Sequence, residues 1–390
     1  MVNKNSVKHS SRIELSQSAL TKNINFIRKK IGKDAIISSV VKANAYGHGI
    51  EQFVKMAEKA GVNHFATASA FEAEEVMHAK ANGSDVMIMG ILYDVDIPWA
   101  IENHIEFYVF NYDRLETVKR VAKELGIKAR IHLEVETGAN RTGLQASDFS
   151  KTLTFLKRNK EFIEFTGLCT HFGGAESFAN QFKIQRQHER FKGFLKECKM
   201  KKIEPRIRHI ACSAAALAMP ETVYDMVRMG VSQYGFWPSP DIYYQHLQAV
   251  GKQSDKSLNR ILSWKTDIMD IRQVDAGEFI GYGTAYQATQ DMRIAVLPLG
   301  YSNGYPRAQS NRGHVLIKGK KCPILGLINM NLFMVDISHI EGVEIGDEVV
   351  LVGRQNNNVI NISSFTQVTQ LLNNEMLSRL PAAIPRKIVK

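Results

Sequence analysis

The sequence is poor in cysteine and has no long apolar run. Its four cysteines, Cys169, Cys198, Cys212 and Cys322, lie far apart, without the close Cys/His spacing of a zinc site or the density of a disulfide framework. No stretch reaches the roughly eighteen apolar residues of a membrane span, and the opening residues hold no apolar segment that could act as a signal sequence. We therefore expect a cytoplasmic protein with no metal site, no disulfides and no membrane contact.

Negative charge is also in short supply. The 390 residues carry a formal net charge of +11, which fits an anionic partner such as nucleic acid. No nucleic-acid-binding motif accompanies it, and the basic residues of NINFIRKKIGK alternate with apolar ones at helical spacing. That pattern is typical of a solvated helix face. We expect no nucleic-acid partner and interpret the charge as favouring small anionic molecules.

Short apolar runs alternate with amphipathic segments over the first 235 residues. One such segment, DRLETVKRVAKELG, is predicted to be a helix that Asp113 caps and Gly126 ends. Eight strands each followed by a helix predict a (β/α)8 TIM-type barrel of the α/β class, whose chemistry lies at the carboxyl ends of the strands. The predicted strands span residues 35–41, 64–68, 85–90, 106–110, 129–135, 165–170, 207–212 and 225–231.

The pattern changes after the eighth predicted strand. Residues 237–259 are polar and rich in turn-forming residues, which predicts a linker. Short β-type runs separated by Gly, Pro and Asn follow, with helix only in the last thirty residues. We predict a barrel domain over residues 1–240 and a mainly β domain over residues 255–390.

Lys42 directly follows an apolar strand. A charge is costly there unless the strand ends or the amine is used, and a desolvated lysine is a nucleophile suited to Schiff-base chemistry. A lysine at a strand end is more often simply solvated or ion-paired. The loop after it, ANAYGHG, offers glycines for close backbone approach and the phenol of Tyr46 for a phosphate oxygen.

The string VVKANAYGHG resembles the cofactor-lysine segment of the alanine racemase family, which uses pyridoxal 5'-phosphate. The resemblance continues from about residue 11 to residue 386. It implies that Lys42 holds the cofactor covalently and acts as one of two catalytic bases, and that Tyr46 binds the cofactor phosphate. It also implies an isomerase that supplies D-alanine for peptidoglycan.

Two further segments extend the resemblance. EVETGANRTGL places Arg141 where the family has an arginine that binds the cofactor and lies beside the substrate, and it has Glu134 where the family often has a carbamylated lysine. Both groups are anions that can fix a guanidinium bidentately. CTHFGG places His171 against the cofactor ring. Taken alone, His171 would be interpreted as a core histidine.

The end of the predicted barrel resembles the family's phosphate site. Ser213 in RHIACSAA matches a phosphate-binding serine. In DMVRMGV, Arg228 matches the arginine that faces the pyridine nitrogen, and Gly230 and Val231 match the backbone amides that close the phosphate site. Amides after the last two barrel strands are a common phosphate cradle. Without the resemblance, Arg228 could equally form a structural salt bridge.

The second domain supplies the remaining matches. Tyr282 in FIGYGTAYQA corresponds to the family's second catalytic base, which comes from the partner chain of a homodimer with shared active sites. Tyr301 would line the substrate entrance, and Met330 would offer its backbone amide to the substrate carboxylate. The chain departs from the family at Asn331, and at Ala382, where a phosphate-contacting tyrosine is common.

These departures leave several functions open. The first is interconversion of L- and D-alanine, and the second is racemisation of serine or of a broader range of amino acids. A third is a cofactor-carrier protein without turnover, against which the second domain and Tyr282 argue. A fourth is a barrel-type decarboxylase, which usually has an acidic partner at the pyridine nitrogen where this chain has the basic Arg228.

Overall fold

The computed structural model describes residues 8–390. Two compact units contain most contacts: a barrel unit of Ser18–Ala43 and Phe53–Asn259, and a β unit of Asn44–Gln52, Arg260–Lys390 and the described residues up to Gln17. The strands are β1 (Ser11–Ser16), β2 (Ile36–Val40), β3 (His64–Ser69), β4 (Asp85–Ile91), β5 (Glu106–Val109), β6 (Ala129–Glu134), β7 (Ile163–Cys169), β8 (Ile207–His209), β9 (Met226–Met229), β10 (Leu262–Asp267), β11 (Asp270–Val274), β12 (Met292–Leu297), β13 (His314–Ile317), β14 (Lys320–Leu325), β15 (Phe333–Asp336), β16 (Glu348–Gln355), β17 (Asn358–Ile360) and β18 (Arg386–Val389).

Most helices lie in the barrel unit. The helices are α1 (Gln17–Ile31), α2 (Lys42–Tyr46), α3 (Ile50–Lys59), α4 (Ala70–Ala79), α5 (Ile97–Glu102), α6 (Arg114–Leu125), α7 (Ala146–Arg158), α8 (Gln181–Lys201), α9 (Ser213–Ala218), α10 (Pro240–Val250), α11 (Ile362–Thr369) and α12 (Asn373–Ser378). Within residues 8–390, none of them combines the length and apolar character needed to cross a membrane.

The barrel unit contains eight parallel strands in the order β9-β2-β3-β4-β5-β6-β7-β8. Its two ends meet through a parallel bridge between Cys212 and Arg228, and the Arg228 amide donates to Ala211 O at 2.9 Å. Strands β5 and β9 are buried along their whole length, as expected for a sheet that helices cover. The predicted (β/α)8 barrel is confirmed, and each of the eight predicted strands overlaps an observed one.

The β unit is built on one large sheet. Its order is β11-β12-β15-β14-β13-β16-β10-β1-β18, with β17 beside β16. Strand β1 joins it by pairing antiparallel with β10 and parallel with β18. Side chains alternate between buried and half-buried along β1 and β10, so one face of the sheet carries the core. The predicted mainly β C-terminal part is confirmed.

Two local predictions are wrong. The passage over 237–259 contains helix α10, which Ser239 caps by accepting from the Ile242 amide and Gly251 ends in the left-handed region. Capping, rather than apolar periodicity, is the signal for this helix. Asp113 makes no side-chain cap on α6; instead Asn111 Oδ1 accepts from the Arg114 amide at 3.1 Å.

Candidate active site

Lys42 lies at the carboxyl end of β2, beside the end of β9. These strands are hydrogen-bonded neighbours with Ser39 paired to Met229, so Lys42 and Gly230 follow the same edge of the barrel. Val41 is fully buried, whereas Lys42 is exposed. In the single chain the strand therefore leaves the Lys42 side chain in contact with solvent. The exposed amine is accessible to a ligand at the functional end of the barrel.

The short helix α2, which begins at Lys42, is a single left-handed turn. Ala43, Asn44, Ala45 and Tyr46 all have φ of +52° or +53°, a conformation that costs roughly 1–2 kcal/mol for each non-glycine residue. On the barrel side the Ala43 amide donates to Glu72 Oε1 at 2.6 Å, and the other oxygen of Glu72 accepts from the Ala68 amide. Such strain persists only where contacts enforce it and is typical of functional sites.

Hydrogen bonds and close packing within the β unit fix the later residues of this turn. The Gly49 amide donates to Asn44 O at 2.9 Å, and the Ile50 amide donates to Asn44 Oδ1 at 3.0 Å. Gly47 has φ +77°, and a Cβ there would lie 1.9 Å from Leu377 O. Both the backbone angle and the close approach therefore require glycine at position 47.

We predict that Gly47→Ala destabilises the protein by at least about 2 kcal/mol, because a left-handed backbone and a backbone collision both oppose it. Gly277→Ala is the matched control, since Gly277 has φ +94° but a Cβ at this position would have no atom within 4 Å of it. Urea unfolding of both variants measures the difference. Equal loss of stability in the two would show that contact with Leu377 is unimportant.

His48 is fully buried beside the turn. Its Nδ1 lies 3.0 Å from both Ala45 O and Tyr46 O. Burial lowers the pKa of His48 from 6.5 to about 4. The unfolded chain therefore binds more protons than the folded one between these values, so stability falls as the pH falls through this window.

The contribution of His48 to stability at acid pH can be measured. Between pH 6.5 and 5 we expect His48 to account for about 2 kcal/mol of lost unfolding free energy. Urea titrations of the wild type and of His48→Gln at several pH values isolate its share, because other buried histidines contribute equally to both. Parallel pH profiles for the two proteins would contradict the assignment.

Ser213, Gly230 and Val231 lie together at the barrel edge. The Gly230 amide donates to Ser213 Oγ at 2.9 Å, and Ser213 is the first residue of α9. Ser213 and Gly230 are buried and Val231 is half-buried. A hydroxyl and the successive backbone amides that follow the last barrel strand are donors suited to a phosphate group.

Arg228 is buried, and both of its terminal nitrogens face acceptors within the barrel. Its Nη1 lies 2.6 Å from His209 Nδ1, and its Nη2 donates to Thr170 O at 2.8 Å and to Ile210 O at 3.3 Å. Nη2 also lies 3.4 Å from Nδ1 of His171. Each of these partners is neutral, so the structure does not support the alternative of a direct salt bridge for Arg228 within the described chain.

His171 shares this end of the barrel with several cations. Burial, together with the charges of Arg228, Arg141 and Lys42, lowers the pKa of His171 from 6.5 to about 3. The ring is therefore neutral near pH 7. Gln187, which the sequence did not single out, donates to His171 O at 3.1 Å and accepts from the Gly173 amide, which fixes the loop that carries the ring.

Glu134 and Arg141 form a loose pair. Arg141 Nη2 lies 3.9 Å from Glu134 Oε1, the carboxylate being buried and the guanidinium 61% exposed. This single contact is not the bidentate pair that the sequence suggested as possible. Arg141 is therefore held near the site but remains accessible to a ligand.

The β unit brings Tyr301 and Met330 together. The Tyr301 amide donates to Asn329 O at 3.1 Å, and Ser302 Oγ donates to Met330 O at 2.7 Å. Asn331 Nδ2 donates to the same Ser302 hydroxyl at 2.8 Å. The side chains of Tyr301 and Met330 stay exposed, as does Tyr282 at 72%. Three predicted site residues thus form part of the surface of the β unit.

The fold and the site together define a barrel-type pyridoxal-phosphate protein with an additional β unit. Sequence profiles agree: "Alanine racemase, N-terminal domain" matches residues 15–238, and "Alanine racemase, C-terminal domain" matches residues 261–388. The chain belongs to the alanine racemase family.

Individual relatives cover almost the whole chain. Alanine racemase of Leptospira interrogans is 31% identical over 381 residues, or 98% of this chain and 96% of the relative. The crystal structure of alanine racemase from Streptomyces lavendulae matches with a TM-score of 0.87 and 29% identity, covering 99% of this chain and 98% of that one. The Bacillus anthracis enzyme with bound L-Ala-P matches with a TM-score of 0.85 and 28% identity, covering 98% and 96%.

Proposed function

We propose that this protein is a pyridoxal-phosphate-dependent racemase that interconverts L- and D-alanine. The observation that supports it most directly is the common barrel edge of Lys42 and Gly230, with Ser213 hydrogen-bonded to the latter. An amine that can form a Schiff base lies there near donors suited to a phosphate. The likeness to alanine racemases over nearly the full chain supports the choice of reaction and substrate.

The residues present fit the cofactor chemically. Lys42 would bind its aldehyde carbon, and Ser213 with the amides of Gly230 and Val231 would bind its phosphate. Arg228 would face its pyridine nitrogen, and Tyr46 would contribute a phenol to the phosphate. Every one of these groups is a hydrogen-bond donor or a cation, which suits an anionic ligand.

Two side chains would move the substrate proton. When bound, pyridoxal phosphate withdraws the electron pair that remains after the α-proton leaves. Lys42 Nζ would exchange that proton on one face of the planar carbon, and Tyr282 Oη on the other. Arg141 would hold the substrate, with Met330 offering its amide to the substrate carboxylate and Tyr301 lining the approach.

Arg228 would determine which carbon atom takes up the proton again. A guanidinium does not release its proton near neutral pH, so it donates a hydrogen bond to the pyridine nitrogen rather than protonating it. His171, whose low pKa keeps it neutral, adds no second positive charge beside it. This arrangement restricts reprotonation to the α-carbon and therefore disfavours transamination.

We infer that the working enzyme is a homodimer in which Tyr282 serves the partner's site. Tyr282, Tyr301 and Met330 are large apolar or amphipathic side chains, all exposed in the single chain. Such exposure is typical of surfaces that a partner covers. We also propose that the protein acts in the cytoplasm and supplies D-alanine for a bacterial cell wall.

The direct test is turnover by purified, cofactor-loaded protein. L-alanine, L-serine, L-lysine and L-arginine are supplied separately, and the D-enantiomer is measured together with α-proton exchange. We expect alanine to react fastest. A strong preference for a long side chain would refute the alanine assignment, and binding of the cofactor without turnover of any amino acid would favour a carrier protein.

A racemase of serine or of broader range is the second candidate. Asn331 is held beside Met330 by its bond to Ser302, which places a polar amide near the proposed carboxylate site. Ala382, where the family often has a tyrosine, is small and exposed. Comparable turnover of alanine and serine in the same assay would favour this function.

A further inference from the structure

A line of polar side chains fills the centre of the barrel. Nη1 of Arg228 lies 2.6 Å from His209 Nδ1, Nε2 of His209 lies 2.8 Å from His132 Nδ1, and Nε2 of His132 lies 2.9 Å from Glu106 Oε2. All four residues are at most 5% exposed. Glu106 begins β5 and Arg228 is near the end of β9, so the line runs from one end of the barrel towards the other.

Neighbouring residues of the barrel leave space for these side chains and pack against them. Gly167 on β7 has no side chain where a Cβ would lie 2.0 Å from His132 Nδ1. The ring of Tyr108 packs against both imidazoles, with centroid distances of 6.2 Å to His132 and 6.0 Å to His209. Space and packing thus fix both rings, and a bulkier residue at position 167 would displace the chain of hydrogen bonds.

Glu106 anchors the far end as an anion. Its Oε2 also lies 3.1 Å from Nε2 of His64, and its Oε1 accepts from Nη2 of Arg130. Burial opposes its ionisation, but His132 and His64 together hold the pKa of Glu106 below its usual range. Burial lowers the pKa of His132 and of His209, so both rings are neutral at neutral pH.

The two ends determine where every proton in the line lies. Arg228 can only donate, so His209 Nδ1 must accept and its proton lies on Nε2. That proton points to His132 Nδ1, which must accept in turn, and the His132 proton on Nε2 points to the carboxylate of Glu106. A cation at one end and an anion at the other therefore select one neutral tautomer of each ring.

We propose that Glu106 is a positioning residue for Arg228, acting through His132 and His209. The carboxylate would fix both tautomers, and the lone pair of His209 Nδ1 would then hold the guanidinium where the cofactor's pyridine ring lies. The inference rests on the proposed function, because that function gives Arg228 its ligand. It assigns a role to a carboxylate at the opposite end of the barrel from the proposed chemistry.

Glu106→Gln tests the proposal because a carboxylate accepts hydrogen bonds through both oxygens, whereas an amide accepts through its oxygen and donates through its NH₂ group. If its oxygen faces Arg130, its NH₂ group meets Nε2 of His132, which must then become an acceptor. The tautomers of His132 and His209 would both reverse, and an N–H on His209 Nδ1 would oppose the N–H of Arg228. The flipped orientation is disfavoured, because its NH₂ group would face the guanidinium groups of Arg130 and Arg206, which both lie against Oε1 of Glu106.

The tautomers can be measured directly in the cofactor-loaded protein without substrate. Long-range ¹H–¹⁵N spectra of histidine-labelled protein should show His132 and His209 neutral and protonated on Nε2. In Glu106→Gln we expect both signals to change and KM to change little. By analogy with residues that orient metal ligands, kcat for alanine should fall about 10-fold to 100-fold. Unchanged ring signals, or changed rings with unchanged kcat, would overturn the proposal.

Two controls separate this effect from damage to the fold. Asp85→Asn removes the other carboxylate that pairs with Arg130, at 2.8 Å, and should leave both the ring signals and kcat unaltered. His132→Leu cuts the line but keeps the Glu106 and Arg130 pair, and it should lower kcat as Glu106→Gln does. His132→Gln can accept from His209 and donate to Glu106, so it should restore most of kcat; failure of this rescue would overturn the proposal.

The ring signals do not depend on turnover. A wild-type protein that racemises none of the four amino acids would refute the proposed function, whereas the spectra would still decide whether Glu106 sets the tautomers. Conversely, if the wild type is active and the ring signals are the same in Glu106→Gln, only the positioning role of Glu106 is refuted.

Discussion

Replacing Lys42 with alanine is expected to abolish racemisation and the visible absorption of lysine-bound cofactor. In the proposed mechanism the side chain supplies both the covalent link to the cofactor and one of the two bases, so at least about 10⁴-fold of kcat should be lost, the upper range for a single acid–base group. Spectra of the purified variant incubated with pyridoxal phosphate, together with alanine turnover, measure the two effects separately.

Lys59→Ala is the matched control for Lys42. Lys59 is also an exposed lysine of the barrel unit, at the end of α3, but it lies away from the carboxyl ends of the strands. We expect full activity and normal absorption from this variant. A Lys42→Ala protein that kept the absorption band of a lysine-bound cofactor would refute the entire assignment of the site.

Tyr282→Phe is expected to lower racemisation about 10²- to 10⁴-fold, the usual contribution of a positioned acid or base. The loss should be equal in both directions, because the two enantiomers have equal free energy in solution. Exchange of the α-proton gives a sharper result. The enantiomer whose proton faces Lys42 should still exchange that proton with solvent while retaining its configuration, since only the second face has lost its base.

Tyr286→Phe controls for the loss of a phenol in the same loop. Tyr286 packs against the apolar cluster that includes Ile280 and Met334, so its removal tests the structural role of the loop alone. We expect its activity to stay close to that of the wild type. A Tyr282→Phe variant with full activity in both directions would refute the two-base mechanism.

The barrel could be predicted because its strands are continuous apolar runs between amphipathic helices. The strands that were missed lack this context. β1 contributes to a sheet whose other members, β10 and β18, come from the far end of the chain, and nothing in its own six residues shows those partners. α10 was missed because its buried residues, Ile242, His246 and Leu247, make only a short apolar stripe in a polar sequence.

The proposed site residues come from the resemblance, whereas the residues that support them were not predicted. Ser213 and Gly230 are joined by a hydrogen bond, which suits the phosphate site proposed for them. His132 and His209 lay inside correctly predicted strands, but a polar residue within an apolar run does not reveal its partner. Those two rings are separated by 77 positions in sequence, so only the closed barrel brings them together.

The pairing of β2 with β9 has a consequence for the order of events during synthesis. Ile36 pairs with Met226, so Lys42 leaves the ribosome long before the strand that completes its surroundings. At bacterial and eukaryotic elongation rates the interval is roughly 10–40 s. A nascent chain therefore has the lysine but not the residues proposed to bind the phosphate, so we expect the cofactor to be captured in its final place only after the last barrel strand has been made.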